Sequence, residues 1–294
     1  MTRARATTLG FGAILMWALL ALLTDMSGAV PPFQLAAMTF GLGGLAGFAL
    51  MRARGRSISV LRQAPKVWLL GVGGLFGYHF LYFTALQAAP PAEASLIAFL
   101  WPLLIVLGSA LVTGEGLRLH HLAGALFGLA GAASLVLGTN LSLPDPAYLS
   151  GYLIAFAAAF VWAGYSVLSR TVATVPTDAV TGFCLVTSIL AWGAHFIFET
   201  TAWPDTPMAW AAVIALGIGP VGLAFFLWDI GMKRGDMSLL GAASYLAPLL
   251  STLILLAAGR TDPSVSLAFG CLAITLGALV STAPNWVARR SDRH

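Results

Sequence analysis

Charged residues are scarce in this chain of 294 residues, of which only 9% are Asp, Glu, Lys or Arg. Hydrophobic residues make up 59% of the chain, and the mean hydropathy is +0.89. Because an ordinary soluble domain has about 25% charged residues, this composition excludes one. The net charge of +4 comes from basic residues spread between apolar segments, so it does not indicate binding to nucleic acid.

Cysteine is also scarce, and the two that are present, Cys184 and Cys271, fall inside apolar segments. We expect both thiols to be unpaired and buried, which excludes a disulfide framework. The chain lacks a Walker A sequence, which argues against an ATP-driven pump, and it has no GxSG string or HExxH motif of a protease. We therefore expect that the protein is not an enzyme and that it binds no cofactor and no metal.

Ionised side chains are missing from the middle of the apolar segments. The acidic residues lie at segment ends, as Asp25, Glu93 and Asp229 do. Because a charge at bilayer depth is costly, it is normally present only for function. A carrier of phosphorylated sugars needs basic residues there, and an exporter of small cations needs a central carboxylate. The sequence therefore predicts a substrate without net charge, such as a zwitterion or a neutral metabolite.

What the chain does contain is a series of ten long apolar segments. They span residues 7–24, 33–51, 67–87, 93–112, 120–138, 150–170, 179–199, 208–229, 238–258 and 264–283. A helix needs about 20 mostly apolar residues to cross a bilayer. We predict an all-α polytopic membrane protein with ten transmembrane helices, the first of which is not a cleaved signal.

Fourteen of the fifteen Lys and Arg residues fall on one side of these segments, and only Arg260 falls on the other. Short loops rich in Lys and Arg face the cytoplasm. This asymmetry predicts a multi-pass membrane protein with both termini in the cytoplasm.

The two halves of the chain match each other when the sequence is shifted by 145–146 residues. Trp17 then meets Trp162, and Pro102 meets Pro248. Residues 1–140 and 141–294 are therefore predicted to be two five-helix repeats. Because five is odd, the second repeat enters the membrane inverted. Inverted repeats are typical of transporters, in which the substrate site lies between the halves.

Several strings resemble a known family: GFGAILMWALLALLT, LIAFLWPLLIVLGSALVTGE, GYLIAFAAAFVWAGYSVLSR and LGAASYLAPLLSTLILL. They resemble the drug/metabolite transporter superfamily in its EamA-type ten-helix branch, and within it they are most similar to the YddG-type aromatic amino acid exporters. The resemblance covers nearly the whole chain. It implies a secondary transporter that exports neutral amino acids, aromatic and other large apolar ones, across the bacterial inner membrane by alternating access.

Aromatic and hydroxyl side chains near the middle of the segments are the candidates for binding the substrate. Aromatic faces attract an ammonium group and stack on aromatic rings, and His, Tyr and Ser can hydrogen-bond a carboxylate. The candidate residues are Trp17, Tyr78, His79, Tyr82, Trp101, Trp162, Tyr165, Ser244 and Tyr245.

Two prolines inside segments are candidate hinges. Proline has no amide hydrogen, so Pro102 and Pro248 leave the carbonyls of Ala98 and Ser244 without their helical partners. These carbonyls are further candidates for accepting an ammonium.

Other readings stay open at this point. The tryptophans can simply fill space between helices, His79 can make a structural hydrogen bond, and the prolines can be static kinks. The same fold can export another neutral metabolite or a drug, or form a passive channel. The expected partners are a small-molecule substrate and the lipid bilayer, with no nucleic acid. The sequence does not determine the oligomeric state, and a monomer is one of the alternatives.

Overall fold

The chain is all helical wherever the structure describes it. The computed structural model describes residues 1–114, 119–137, 146–260 and 262–291, and within these ranges it contains fourteen α-helices and no β-strand. The helices are α1 (Arg3–Trp17), α2 (Leu20–Met26), α3 (Pro32–Ala53), α4 (Pro65–Ala88), α5 (Pro91–Ala98), α6 (Trp101–Thr113), α7 (Leu119–Leu137), α8 (Leu149–Leu168), α9 (Ala179–Phe198), α10 (Pro207–Ile218), α11 (Ala224–Arg234), α12 (Met237–Ala243), α13 (Leu246–Ala257) and α14 (Val265–Ser291). The prediction of an all-α protein is confirmed.

Most of the apolar segments form helical stretches long enough to cross a bilayer. Among the described residues, eight stretches combine sufficient length with sufficient hydropathy. They are Arg3–Met26, Pro32–Ala53, Pro65–Ala88, Glu93–Thr113, Pro146–Val172, Ala179–Phe198, Pro207–Arg234 and Met237–Ala257. A shorter apolar stretch, Leu267–Val280, lies within α14, and α7 coincides with the fifth predicted segment. The protein therefore passes through the membrane several times.

Four of these stretches are interrupted near their middle. Pro102 follows the break at residues 99–100, between α5 and α6, and Pro248 follows the break at residues 244–245, between α12 and α13. A π-helical turn, Gly219–Leu223, separates α10 from α11, and α1 is separated from α2 at residues 18–19. Contrary to the expectation from the sequence, the Ser244 carbonyl is not free, because it accepts the Ala247 amide at 3.1 Å.

The two halves of the chain interlock helix by helix. Helix α3 packs on α9, α7 on α14, and α6 on α12, while α1 packs on α11 and α4 on α8. Each of these contacts joins one half to the other. Both cysteines are free; Cys184 is buried in this core and Cys271 is half-buried.

A buried carboxylate joins α9 to the start of α3. Glu199 accepts the amides of Phe33 at 2.8 Å and Gln34 at 3.1 Å, and it pairs with Nδ1 of His195 at 2.8 Å. The side chain of His195 is fully buried and that of Glu199 is 5% exposed. A carboxylate at a helix N-terminus satisfies free amides and favours the helix dipole. This contact therefore fixes α3 against α9.

Replacing this carboxylate should lower stability. Glu199→Gln loses the charge and one of the two amide contacts, and hydrogen bonds to charged groups contribute about 1.5–3 kcal/mol each. Asp25→Asn is the matched control, since its ion pair with Arg260, at 3.3 Å, is about half exposed and such pairs contribute about 0–1 kcal/mol. Thermal unfolding in detergent should show a clear drop for Glu199→Gln alone, and equal shifts would contradict this account.

Candidate functional site

Four tryptophans from four helices meet in the centre of the bundle. Trp17 of α1 lies 5.0 Å from Trp228 of α11 and 5.8 Å from Trp162 of α8, between ring centroids. Trp101 of α6 lies 6.1 Å from Trp162 and 6.0 Å from Trp228. Most of these pairs are steeply inclined, an arrangement that aromatic rings prefer over a face-to-face sandwich. We call Trp17, Trp101, Trp162 and Trp228 the tryptophan cluster.

One face of α4 continues this cluster. The Tyr78 ring lies 5.3 Å from Trp162 and is stacked on Tyr82, four residues further on, at 5.7 Å. Residues four apart share a helix face, as the sequence predicts. Tyr165 lies 5.4 Å from Trp162 on the same helix. Seven of the nine candidate residues thus belong to one continuous aromatic group.

His79 contributes both a ring and a polar atom to this group. Its ring lies 5.0 Å from Phe40, edge to face, and its Nδ1–H donates to the Leu75 carbonyl at 2.7 Å. Since that bond fixes the proton on Nδ1, the neutral ring presents Nε2 as an acceptor. His79 is only partly buried, and no hydrogen bond of Nε2 is seen among the described residues.

Two hydrogen bonds hold the partly exposed aromatic residues in place. The Tyr82 hydroxyl and the Ser95 hydroxyl lie 3.0 Å apart. The indole N–H of Trp17 donates to the Pro220 carbonyl at 3.0 Å, within the π-helical turn of the eighth segment. Such turns expose backbone carbonyls and often occur at functional sites. The turn therefore fixes the orientation of Trp17.

The structure places Ser244 and Tyr245 away from the tryptophan cluster. The Ser244 hydroxyl donates to the Leu240 carbonyl at 2.7 Å and is buried. The Tyr245 ring belongs to a separate apolar cluster, and its hydroxyl donates to the Phe99 carbonyl at 3.1 Å. Tyr245 thus connects the break after α12 to the break after α5.

Three aromatic residues of the site are not among the candidates from the sequence. Trp228 is fully buried and its indole N–H donates to the Ser166 hydroxyl at 3.0 Å. Phe225, one turn earlier on α11, stacks on Phe40 at 5.4 Å. The spacing of Phe225 and Trp228 is the available signal, because residues three apart share a helix face.

The site is closed at one end. At this end, ion pairs and hydrogen bonds connect the end of α8, the start of α9, the end of α11 and residues 52–62. Arg170, for example, donates to the Lys233 and Gly235 carbonyls. We call this the basic end. On α4, Gly71 and Gly74 pack directly against the rings of Phe183 and Tyr165. Any larger residue at either glycine would collide with these rings, so α4 lies close against α8 and α9 here.

The side chains of the aromatic group differ in burial. Trp17, Tyr78, His79 and Tyr82 are only partly buried, whereas Tyr165 is 3% exposed. The side of the aromatic group next to Tyr165 is therefore its more enclosed side.

The chemistry of this site is that of binding. In the described ranges no group of three or more His, Cys, Asp or Glu side chains is placed to hold a metal ion. The aromatic faces, the Nε2 acceptor of His79 and the hydroxyl groups suit a neutral molecule with an ammonium group and an aromatic ring.

Comparison with known proteins agrees with this chemistry. The chain is 57% identical over 284 residues to the aromatic amino acid exporter YddG of Ancylobacter novellus, covering 96% of this chain and 98% of that protein. It is 28% identical to the aromatic amino acid exporter YddG of Escherichia coli, with 99% of both chains covered. A crystal structure of a protein 56% identical in sequence superposes with a TM-score of 0.91, covering 96% of this chain and 99% of that one.

The profile of the EamA-like transporter family matches the chain twice, over residues 4–137 and 149–283. These two matches include all seven residues that form the aromatic group. The chain therefore belongs to the EamA-like transporter family.

Proposed function

We propose that this protein exports aromatic and other large neutral amino acids across the bacterial inner membrane by alternating access. The tryptophan cluster, with Tyr78 and His79 beside it, is the observation that carries the proposal. Two relatives that match almost the whole chain are aromatic amino acid exporters. In this proposal the protein has no catalytic role, and its partners are the amino acid and the lipid bilayer.

We propose further that ten helices form two inverted repeats, residues 1–140 and 141–294; this boundary lies outside the described residues. Reciprocal contacts support the two-fold relation. A Cβ atom on Gly131 would lie 2.9 Å from the Gly270 carbonyl oxygen, and one on Gly277 would lie 2.6 Å from that of Gly124. Gly131 and Gly277 are 146 residues apart, and so are Gly124 and Gly270. Each contact is therefore the counterpart of the other, as it is when a two-fold axis relates two units.

The basic end is, in this proposal, the cytoplasmic end, with both termini on the same side. Short loops rich in Lys and Arg support this orientation, and Arg260 pairs with Asp25 at the opposite end. Arg118 and Arg293 are also among the fourteen Lys and Arg residues on this side of the predicted segments, and both lie outside the described residues. With this orientation the close contacts of Gly71 with Phe183 and of Gly74 with Tyr165 close the site on its cytoplasmic side.

In this state a bound amino acid would place its ring among the tryptophans. Its ammonium group would contact the aromatic faces and Nε2 of His79, and the hydroxyl of Tyr78 or Tyr82 would donate to its carboxylate. A desolvated cation over an aromatic ring gains about 2 kcal/mol. Movement of α4 relative to α8 and α9 would then expose the site to the cytoplasm instead.

Transport by purified protein in lipid vesicles tests this function. We expect saturable efflux of tryptophan, phenylalanine and tyrosine from loaded vesicles, and no efflux of phosphorylated sugars or quaternary cations. External tryptophan should accelerate the efflux of labelled tryptophan, because a carrier with one alternating site exchanges substrates and a channel does not. Movement of sugars or cations without amino acids, or efflux that does not saturate, would refute the proposal.

A further inference from the structure

A buried ion pair lies between the aromatic group and the basic end. Lys233 Nζ is 2.9 Å from Asp229 Oδ1, and the side chains are 3% and 2% exposed. Asp229 Oδ2 also accepts the Thr177 hydroxyl at 2.7 Å, and Lys233 Nζ donates to the Val175 carbonyl at 3.0 Å. Since desolvating two ions is costly, a pair of apolar residues would often be at least as stable here. Stability alone therefore does not explain the pair.

The pair is aligned with the aromatic group along α11. Phe225, Asp229 and Lys233 are four residues apart, so they share one face of the helix, about 6 Å apart along its axis. Phe225 is in contact with Trp162 at 5.8 Å. The row therefore leads from the aromatic group through the carboxylate to the ammonium group at the basic end.

The pair lines a small cavity between α4 and the helices of the second half. The cavity has room for about one water molecule. Its walls include Val67, Leu70, Gly71, Tyr165, Phe183, Asp229 and Lys233. Among the described residues the buried Tyr165 hydroxyl finds no hydrogen-bond partner. A buried hydroxyl without a partner is costly, so this wall of the cavity is built to accept a further polar group.

We propose that Asp229 and Lys233 form a second substrate subsite, which binds the ammonium and carboxylate groups of an amino acid on its way from the cytoplasm to the aromatic group. This inference rests on the proposed export of amino acids. The two charges of an α-amino acid are separated by one carbon atom, which matches the close spacing of Asp229 Oδ1 and Lys233 Nζ. The ammonium group contacts Asp229, the carboxylate contacts Lys233, and the Tyr165 hydroxyl donates to the carboxylate.

Binding of a zwitterion at this place leaves no charge unmatched. A ligand with an ammonium group and no carboxylate competes with Lys233 for Asp229. A ligand with a carboxylate and no ammonium group competes with Asp229 for Lys233. The subsite therefore selects molecules that carry both charges. The contacts of Gly71 with Phe183 and of Gly74 with Tyr165 close it in the present state, and separation of α4 from α8 and α9 opens it.

The test compares three ligands that share an indole ring: tryptophan, tryptamine, which lacks the carboxylate, and indole-3-propionate, which lacks the ammonium group. Full-length protein is reconstituted in vesicles, and each ligand is added at the face that carries residues 52–66. The concentration of each that halves the transport of labelled tryptophan is measured. The variants are Asp229→Asn and Lys233→Gln, and the matched control is Arg3→Gln, which removes the ion pair with Asp236 at the same end.

The two variants should change selectivity in opposite directions. Lys233→Gln keeps Asp229 and should improve tryptamine relative to tryptophan by at least tenfold. Asp229→Asn keeps Lys233 and should improve indole-3-propionate relative to tryptophan by at least tenfold. Arg3→Gln should leave both ratios within twofold of the wild-type values.

A double variant covers the case in which a single variant, left with one buried charge, fails to fold. Asp229→Asn with Lys233→Gln leaves no unmatched charge and should lower the preference for tryptophan over both analogues by at least tenfold. If wild-type vesicles transport tryptophan and the ratios change less than twofold in every folded variant, the subsite is refuted and the export function stands. If wild-type vesicles do not transport tryptophan, the export function itself fails, and the subsite with it.

Discussion

Trp162→Leu is expected to weaken the apparent affinity for tryptophan by at least about tenfold. Trp162 is in contact with Trp17, Trp101 and Tyr78, so it is the ring shared by all sides of the aromatic group. An aromatic pair contributes about 0.5–1.5 kcal/mol beyond the area that it buries, and a desolvated cation–π contact about 2 kcal/mol. Each 1.4 kcal/mol lost is about tenfold in affinity.

Trp192→Leu provides the matched control for this prediction. Trp192 lies on α9 and contacts His195, Phe196 and Trp203, away from the tryptophan cluster. Both substitutions remove a ring and leave a smaller apolar side chain, so both should reduce stability. Binding and flux in vesicles, normalised to folded protein, separate the two effects. An equal loss of affinity in both variants would mean that Trp162 acts through packing alone.

Pro102→Ala and Pro248→Ala are expected to slow transport by at least about fivefold while substrate binding stays within about twofold. Proline in a helix interior is about 3 kcal/mol less favourable than alanine, so each substitution favours a continuous helix across the break. If the helices bend at these breaks when the protein changes from one open state to the other, a more continuous helix raises the barrier to that change. Each 1 kcal/mol of barrier corresponds to about fivefold in the rate of transport.

The control for the proline variants is Pro207→Ala. Pro207, like Pro102, lies in the first turn of its helix, but no helix leads directly into it, because α9 ends at Phe198. Pro102→Ala should have the larger effect of the two, since the Ser244 carbonyl already accepts the Ala247 amide. Binding is measured by equilibrium titration and flux by efflux from vesicles. Unchanged flux in both variants would remove the hinge role.

The sequence predicts the fold well because the bilayer leaves few choices. A long apolar segment has to satisfy its own backbone, so it forms a helix whatever its neighbours do. Two of the four helix breaks follow from Pro102 and Pro248, and the π-helical turn contains Pro220. The break after Trp17 has no such signal, because Ala18 and Leu19 both favour helix. It depends on tertiary contacts, among them the bond from Trp17 to the Pro220 carbonyl.

The site is predicted less completely, because a sequence does not show which face of a helix meets which neighbour. Tyr165 and Tyr245 are both tyrosines within apolar segments, yet only Tyr165 reaches the tryptophan cluster. Trp228 lies at the end of the predicted eighth segment, a position typical of tryptophans that anchor at the membrane surface. The helix extends to Arg234, which brings Trp228 into the interior.

The buried ion pair is missed for a related reason. Asp229 is at the end of the predicted segment and Lys233 outside it, so each reads as a solvated charge in a loop. Because the helix continues through both, the two side chains lie one turn apart and neutralise each other. A neutral pair can be buried where either charge alone would be expelled.

The bond from the Tyr245 hydroxyl to the Phe99 carbonyl makes the two halves unequal. Phe99 and Tyr245 are separated by 146 residues, so they occupy equivalent positions in the proposed repeats. Exchange of the conformations of the two halves would require the reciprocal bond, from residue 99 to the carbonyl of residue 245, and phenylalanine has no hydroxyl to make it. A hydrogen bond contributes about 1 kcal/mol, so this one substitution within the duplication favours one orientation of the empty carrier by about fivefold.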